Sequence, residues 1–146
     1  PLVRNSDIVP NTAFIIMRMD KDFIEGPEIC RTIKEVCKSF GVDAVRADDI
    51  EHSDKLTDLI LEKIKSSEYL IADLSGEKPN VYYEVGYAHA INRKPILYRA
   101  AGTRLHFDLS IHNVPEYEGI DNLKRQLTNR FSALRPGKTI SKIKKI

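Results

Sequence analysis

The sequence predicts a three-layer α/β sandwich on a mostly parallel sheet of four to five strands, in the order 2-1-3-4-5. Three observations predict it. Short apolar runs alternate with longer segments whose apolar residues recur at helical spacing, the pattern of βαβ units. The runs read as strands buried under helices on both faces of a parallel sheet. The chain has 146 residues and is 42% hydrophobic, enough for one domain with a core of its own. Right-handed crossovers then place the ligand crevice at the switch between strands 1 and 3.

Residues 1–12 read as an irregular lead-in, 13–134 as a single α/β domain, and 135–146 as a flexible basic tail. Ala13–Met17 is the first strand. The apolar positions of Gly26–Phe40 (Ile29, Cys30, Ile33, Val36, Cys37, Phe40) follow the helical period, and Gly41 suits the position after the helix end. Val42–Val45 is a second strand. Lys55–Ile64 is a helix with Leu56, Leu59, Ile60 and Ile64 on one face and Ser53 or Asp54 as its N-cap. Tyr69–Leu74 is the third strand and Val81–Ile91 the next helix. Pro95–Tyr98 is the fourth strand, with proline at the position that tolerates a missing N–H. His112–Tyr117 is a fifth, edge strand, and Ile120–Phe131 a helix with Leu123, Leu127 and Phe131 inward.

Charge and composition narrow the function. The segment 135–146 holds five basic residues and no acid, so removing it takes the net charge from +2 to −3. An acidic body argues against a nucleic-acid-binding surface apart from that tail. No apolar run approaches the length of a membrane span, and no secretory signal is visible, so no membrane partner and a cytoplasmic, reducing setting are expected. The start at Pro1 suits processing or excision from a longer protein. Cys30 and Cys37 lie two helical turns apart, too far for a disulfide, and read as core hydrophobes. The four histidines show no paired ligand spacing, so no metal and no bound cofactor are expected.

The most informative stretch is Ile71–Ala90, a buried strand ending in Asp73, a turn with Ser75, and a helix opening with Asn80 and Glu84. Glu84 lies four residues after Asn80 and so shares its face. A carboxylate there can stabilise or attack an oxocarbenium-like sugar C1′, or simply complement the helix dipole. Val81, Val85 and Ala88 should face the sheet, and Gly86 should let backbones approach closely. Asn80 reads as an N-cap or a ligand contact, and Asp73 as the cap of its own turn or a partner for a ribose hydroxyl or base. Arg18 follows strand 1 and Arg46 and Asp48 follow strand 2, where guanidiniums could hold phosphate. Arg99 and Asp108 follow strand 4. Tyr82, Tyr83 and Tyr87 should pack, with one of them free to stack on a base. No Walker loop or dinucleotide glycine motif is present, so phosphate binding would use arginines and helix N-termini. The set suits a phosphorylated or ribose-bearing ligand.

Asp73-Leu74-Ser75-Gly76 followed by Pro79-Asn80-Val81-Tyr82-Tyr83-Glu84-Val85-Gly86-Tyr87-Ala88-His89-Ala90 resembles the signature of nucleoside 2-deoxyribosyltransferase-like proteins and of the related bacterial TIR-like nucleotide-binding domains. Phe14–Met17, Val45–Ile50 and Phe107-Asp108-Leu109 are similar to flanking elements of the TIR-like branch. The resemblance implies a flavodoxin-like fold that binds nucleosides or nucleotides. It implies that Glu84 is the family glutamate that acts at the sugar, with Asp73 and Asn80 close to it. Arg18 stands where a proline is common, and the Gly-Pro loop of true deoxyribosyltransferases is absent after strand 1, which turns the expectation toward a phosphorylated substrate. The expected function is cleavage of an N-glycosidic bond, by hydrolysis or transfer, in NAD or a nucleoside monophosphate. Glu84 and Asp73 would be catalytic, and Asn80, Arg18, Arg46, Asp48, Ser75, Tyr83 and Asp108 would bind substrate. The alternative is a non-catalytic nucleotide sensor or TIR-like interaction module of a larger protein. A homo-oligomer that completes the site is also expected.

Overall fold

A computed structural model describes residues 3–50, 56–105 and 113–137. Its single sheet has the order β2-β1-β3-β4-β5, with every adjacent pair parallel. The strands are β1 (Val9–Ile16), β2 (Asp43–Arg46), β3 (Ser67–Asp73), β4 (Ile96–Ala100) and β5 (Glu116–Tyr117). The helices are α1 (Gly26–Ser39), α2 (Leu56–Ser66), α3 (Pro79–Ala90) and α4 (Gly119–Leu134). Fold class and strand order are as the sequence predicts.

Strand alternation divides the core into two layers. Ala13, Ile15 and Met17 join the cluster under α1 and α4, with Ile33, Cys37, Leu123, Leu127 and Phe131. Phe14 and Ile16 join the opposite cluster under α2 and α3, with Leu70, Ala72, Val81, Val85 and Ala88. Both cysteines are buried and free, as core residues. Gly41 takes φ +79° after α1, and its N–H reaches the Lys38 carbonyl at 3.0 Å, which closes the helix as expected.

Most element ends differ from the sequence reading by one to three residues, and three differences go further. β1 begins at Val9, inside the expected lead-in. Asn11 sits at φ +60° where the pairing with β3 shifts register, its N–H donates to Glu68 at 2.7 Å, and Val9 pairs with Ser67. β5 is reduced to two residues. Arg135, expected in the solvated tail, instead ties the end of α4 to the sheet. It donates to Asn11 Oδ1 at 2.7 Å and to the Tyr69 hydroxyl at 3.2 Å, and its side chain is only 9% exposed. The expected N-caps Ser53 and Asp54, and the candidates His52, His106, Asp108 and His112, lie outside the described residues.

Among the described residues no helix is long and apolar enough to cross a membrane, and no cluster of three potential metal ligands occurs.

Candidate active site

The carboxyl ends of β1, β3 and β4 place the predicted residues, but in two different kinds of environment. Asp73 ends β3 on the α1/α4 side, the side that Ile71 also faces. It is 2% exposed, and both its oxygens are taken. Oδ1 accepts the Ser75 N–H at 2.7 Å, an Asx turn, and Oδ2 accepts the Tyr117 hydroxyl. The Ser75 hydroxyl in turn accepts the Ala100 N–H at 2.9 Å, joining the loop to the end of β4. Burial raises the Asp73 pKa against the lowering effect of these hydrogen bonds. Burial, with the Asp73 charge second, raises that of Tyr117. Of the two roles the sequence allows Asp73, the geometry displays the turn cap. Ser75 is buried in the same network.

Glu84 is the opposite case. Pro79 opens α3 at its first position, where its missing N–H costs nothing, and Lys78 is the N-cap. Asn80 is therefore not the cap. It lies exposed inside the first turn. Val81, Val85 and Ala88 face the sheet, each 1% exposed or less. Glu84 stands at the margin of that stripe, half-buried, with no hydrogen-bond or ion-pair partner among the described residues. Burial alone pushes its pKa up from 4.5 to about 7. Its azimuth follows from helix geometry. His89 borders a cavity of about 380 Å³ against Ile96 and Leu97 of β4. Five residues turn a helix by about 140°, so Glu84 occupies the other flank of the stripe, away from β4. Tyr83 beside it is 60% exposed, while Tyr82 and Tyr87 pack on the α2/α3 cluster.

Gly86 does not serve a close backbone approach. A Cβ there would meet nothing within 4 Å. The close approach is at Gly76, in the β3–α3 turn with φ +84°, where a Cβ would lie 2.2 Å from Arg18 Nη1. Arg18 thus leaves β1 and lies across the turn before α3, with Phe23 against it, 4.7 Å from guanidinium carbon to ring centroid. Its Nε donates to Asp20 Oδ1 at 2.7 Å, and Lys78 Nζ lies 3.8 Å from Asp20 Oδ2.

Arg46 and Asp48 are brought together, but as a pair of their own. Arg46 Nε and Nη2 donate to Asp48 at 2.7 and 2.6 Å. Lys34 of α1 bonds Asp49 beside them at 2.5 Å, so the cluster belongs to the β2 edge and to α1 rather than α3. Arg99 donates to the Val114 and Thr103 carbonyls and shapes the loop after β4.

Sequence reasoning placed Asp20 after strand 1 with Arg18, and missed Tyr117, Lys78 and Phe23. Tyr117 is 44 residues from Asp73, and no local pattern joins them.

No protein-family model matches the chain, and no curated protein matches it in sequence. Among solved structures a match exists. The chain is similar in fold to the Clostridium botulinum CMP N-glycosidase BcmB. The superposition covers 82% of this chain and 98% of BcmB, with a TM-score of 0.64 at 18% identity. At that identity the likeness establishes the shared architecture.

Proposed function

We propose that this protein binds a nucleotide and cleaves its N-glycosidic bond, with the Glu84 carboxylate facing the sugar C1′. The observation that carries the reading is Glu84 itself, a half-buried acid with no partner among the described residues, raised to about 7, on the flank of α3 away from β4. Buried carboxylates are normally paired, and one left unpaired and strongly shifted is a candidate for chemistry. The likeness to a CMP N-glycosidase supports the same reaction class.

In this reading the ionised Glu84 stabilises or captures C1′ as the bond to the base breaks, and the bonding pair leaves with the base. Water or a second base then takes the sugar, giving hydrolysis or transfer. Asp73 acts by position. With both oxygens engaged, it holds the β3–α3 turn that presents Arg18, Lys78 and the start of α3. Arg18 is the phosphate ligand, Asn80 and Tyr83 are the exposed groups nearest Glu84 along the helix, and Arg46 and Asp48 serve the β2 edge. A nicotinamide leaves neutral and needs no proton, whereas the base of a nucleoside monophosphate does.

The test is incubation with CMP and other nucleoside monophosphates, NAD and deoxynucleosides, with released base read by chromatography. Release by the wild type that is lost in Glu84→Gln supports the proposal. Release unchanged in Glu84→Gln overturns it. Tight nucleotide binding with no release by either protein supports the sensor alternative.

A further inference from the structure

Two cations from different loops converge on a single carboxylate. Arg18, from the β1–α1 loop, holds Asp20 through Nε at 2.7 Å from Oδ1 and through Nη2 on Oδ2. Lys78, the N-cap of α3, brings Nζ to 3.8 Å from the same Oδ2. The guanidinium is held in place beforehand, with Phe23 on it at 4.7 Å and the Gly76 backbone so close that no side chain fits between them. Its side chain is 14% exposed, whereas that of Asp20 is 32% exposed, so the carboxylate lies on the water side of the pair. A fixed fork plus an ammonium is the arrangement that recognises a phosphate. Glu84 stands six residues on from Lys78, about 9 Å along the α3 axis by helix rise.

We infer that the Asp20 carboxylate is an internal stand-in occupying the seat of the substrate's phosphomonoester, which it must vacate when substrate binds. The inference rests on the nucleotide reading above. The exchange is anion for anion. Arg18 holds the Asp20 pKa down to about 2, so near neutral pH the carboxylate does not leave by protonation. A phosphate dianion carries about twice its charge and three oxygens for the same donors. A free nucleoside brings no anion and leaves Asp20 in place, so the seat selects phosphorylated ligands.

The experiment titrates inorganic phosphate into the full chain at constant ionic strength, followed by amide NMR shifts or calorimetry. Asp20→Asn should bind phosphate about tenfold more tightly than the wild type. Lys78→Gln should bind it several-fold more weakly while keeping the Arg18–Asp20 pair. Asp22→Asn, which makes the same charge change on the same loop outside the pair, should shift affinity less than about twofold. Asp20→Asn binding phosphate no better than the wild type, or Asp22→Asn matching its gain, overturns the inference. In turnover assays Asp20→Asn should lower KM for the nucleoside monophosphate far more than it changes kcat. If phosphate binding follows these expectations but no base is released, the seat stands and the glycosidic reading falls. If Glu84→Gln abolishes release while Asp20→Asn leaves phosphate affinity unchanged, the seat falls alone.

Discussion

Asp73 and Glu84 are eleven residues apart in sequence, and both are acids that burial pushes toward the protonated form. Their surroundings give them opposite tasks. Asp73 is fully enclosed, with a backbone N–H on one oxygen and a tyrosine hydroxyl on the other. Glu84 is half-enclosed, and among the described residues nothing compensates its desolvation. A carboxylate whose lone pairs are already used stabilises a structure, and one left without partners is available to a substrate. An acid's worth as a catalytic candidate therefore depends less on burial than on whether its hydrogen-bonding capacity has been spent.

The comparison can be broken most decisively at Glu84. Glu84→Gln should reduce base release by about 10³-fold or more while the protein stays folded. Tyr117→Phe tests the other side. It leaves one Asp73 oxygen buried and unpaired, at a cost of about 1–3 kcal/mol of stability in denaturant unfolding, with base release surviving at temperatures where the chain is folded. An equal loss of activity at both positions would erase the distinction.

The two acids also differ in a way that pH exposes. The folded-state pKa of Glu84, about 7, lies above its unfolded value of 4.5. The folded protein therefore holds that proton more tightly, and the destabilisation from Glu84 is absent below about pH 4.5, grows as pH rises, and is complete above about 7. Glu84→Gln should then raise stability above pH 7 by about 1 kcal/mol, after allowance for solvent screening of a half-buried group, and change nothing near pH 4. If the carboxylate acts ionised, kcat/KM should climb with pH and level off above about 7.

The smallest effect concerns the glycines. Gly86→Ala, in an open helical position, should stabilise by about 0.5–1 kcal/mol. Gly76→Ala should destabilise, because it meets both a positive φ and the Arg18 guanidinium.

Much of the architecture was legible because it rests on local periodicity. The alternation of strands and helices, the inward faces of α1, α3 and α4, and the end of α1 at Gly41 all follow from residues close together in the chain, whereas the strand order came from the fold class those elements imply. The first half of β1 was not, since its partners Ser67, Glu68 and Arg135 lie far along the chain and only the fold brings them beside it. At the site, Glu84 could be found because a glutamate beside an apolar stripe is visible in a helical pattern. The closure of Asp73 could not, since it depends on a tyrosine from the far edge strand. Nor could the convergence of Arg18 and Lys78 on Asp20, which depends on two loops meeting over Gly76.

The central claim is that Glu84 is a desolvated acid, without a partner among the described residues, that meets the ligand. Its titration, followed by carboxyl-carbon NMR with and without a nucleoside monophosphate, tests this most directly. The account predicts a midpoint near 7 in the free protein that moves when nucleotide is added. A midpoint near 4.5, unmoved by nucleotide, would contradict it.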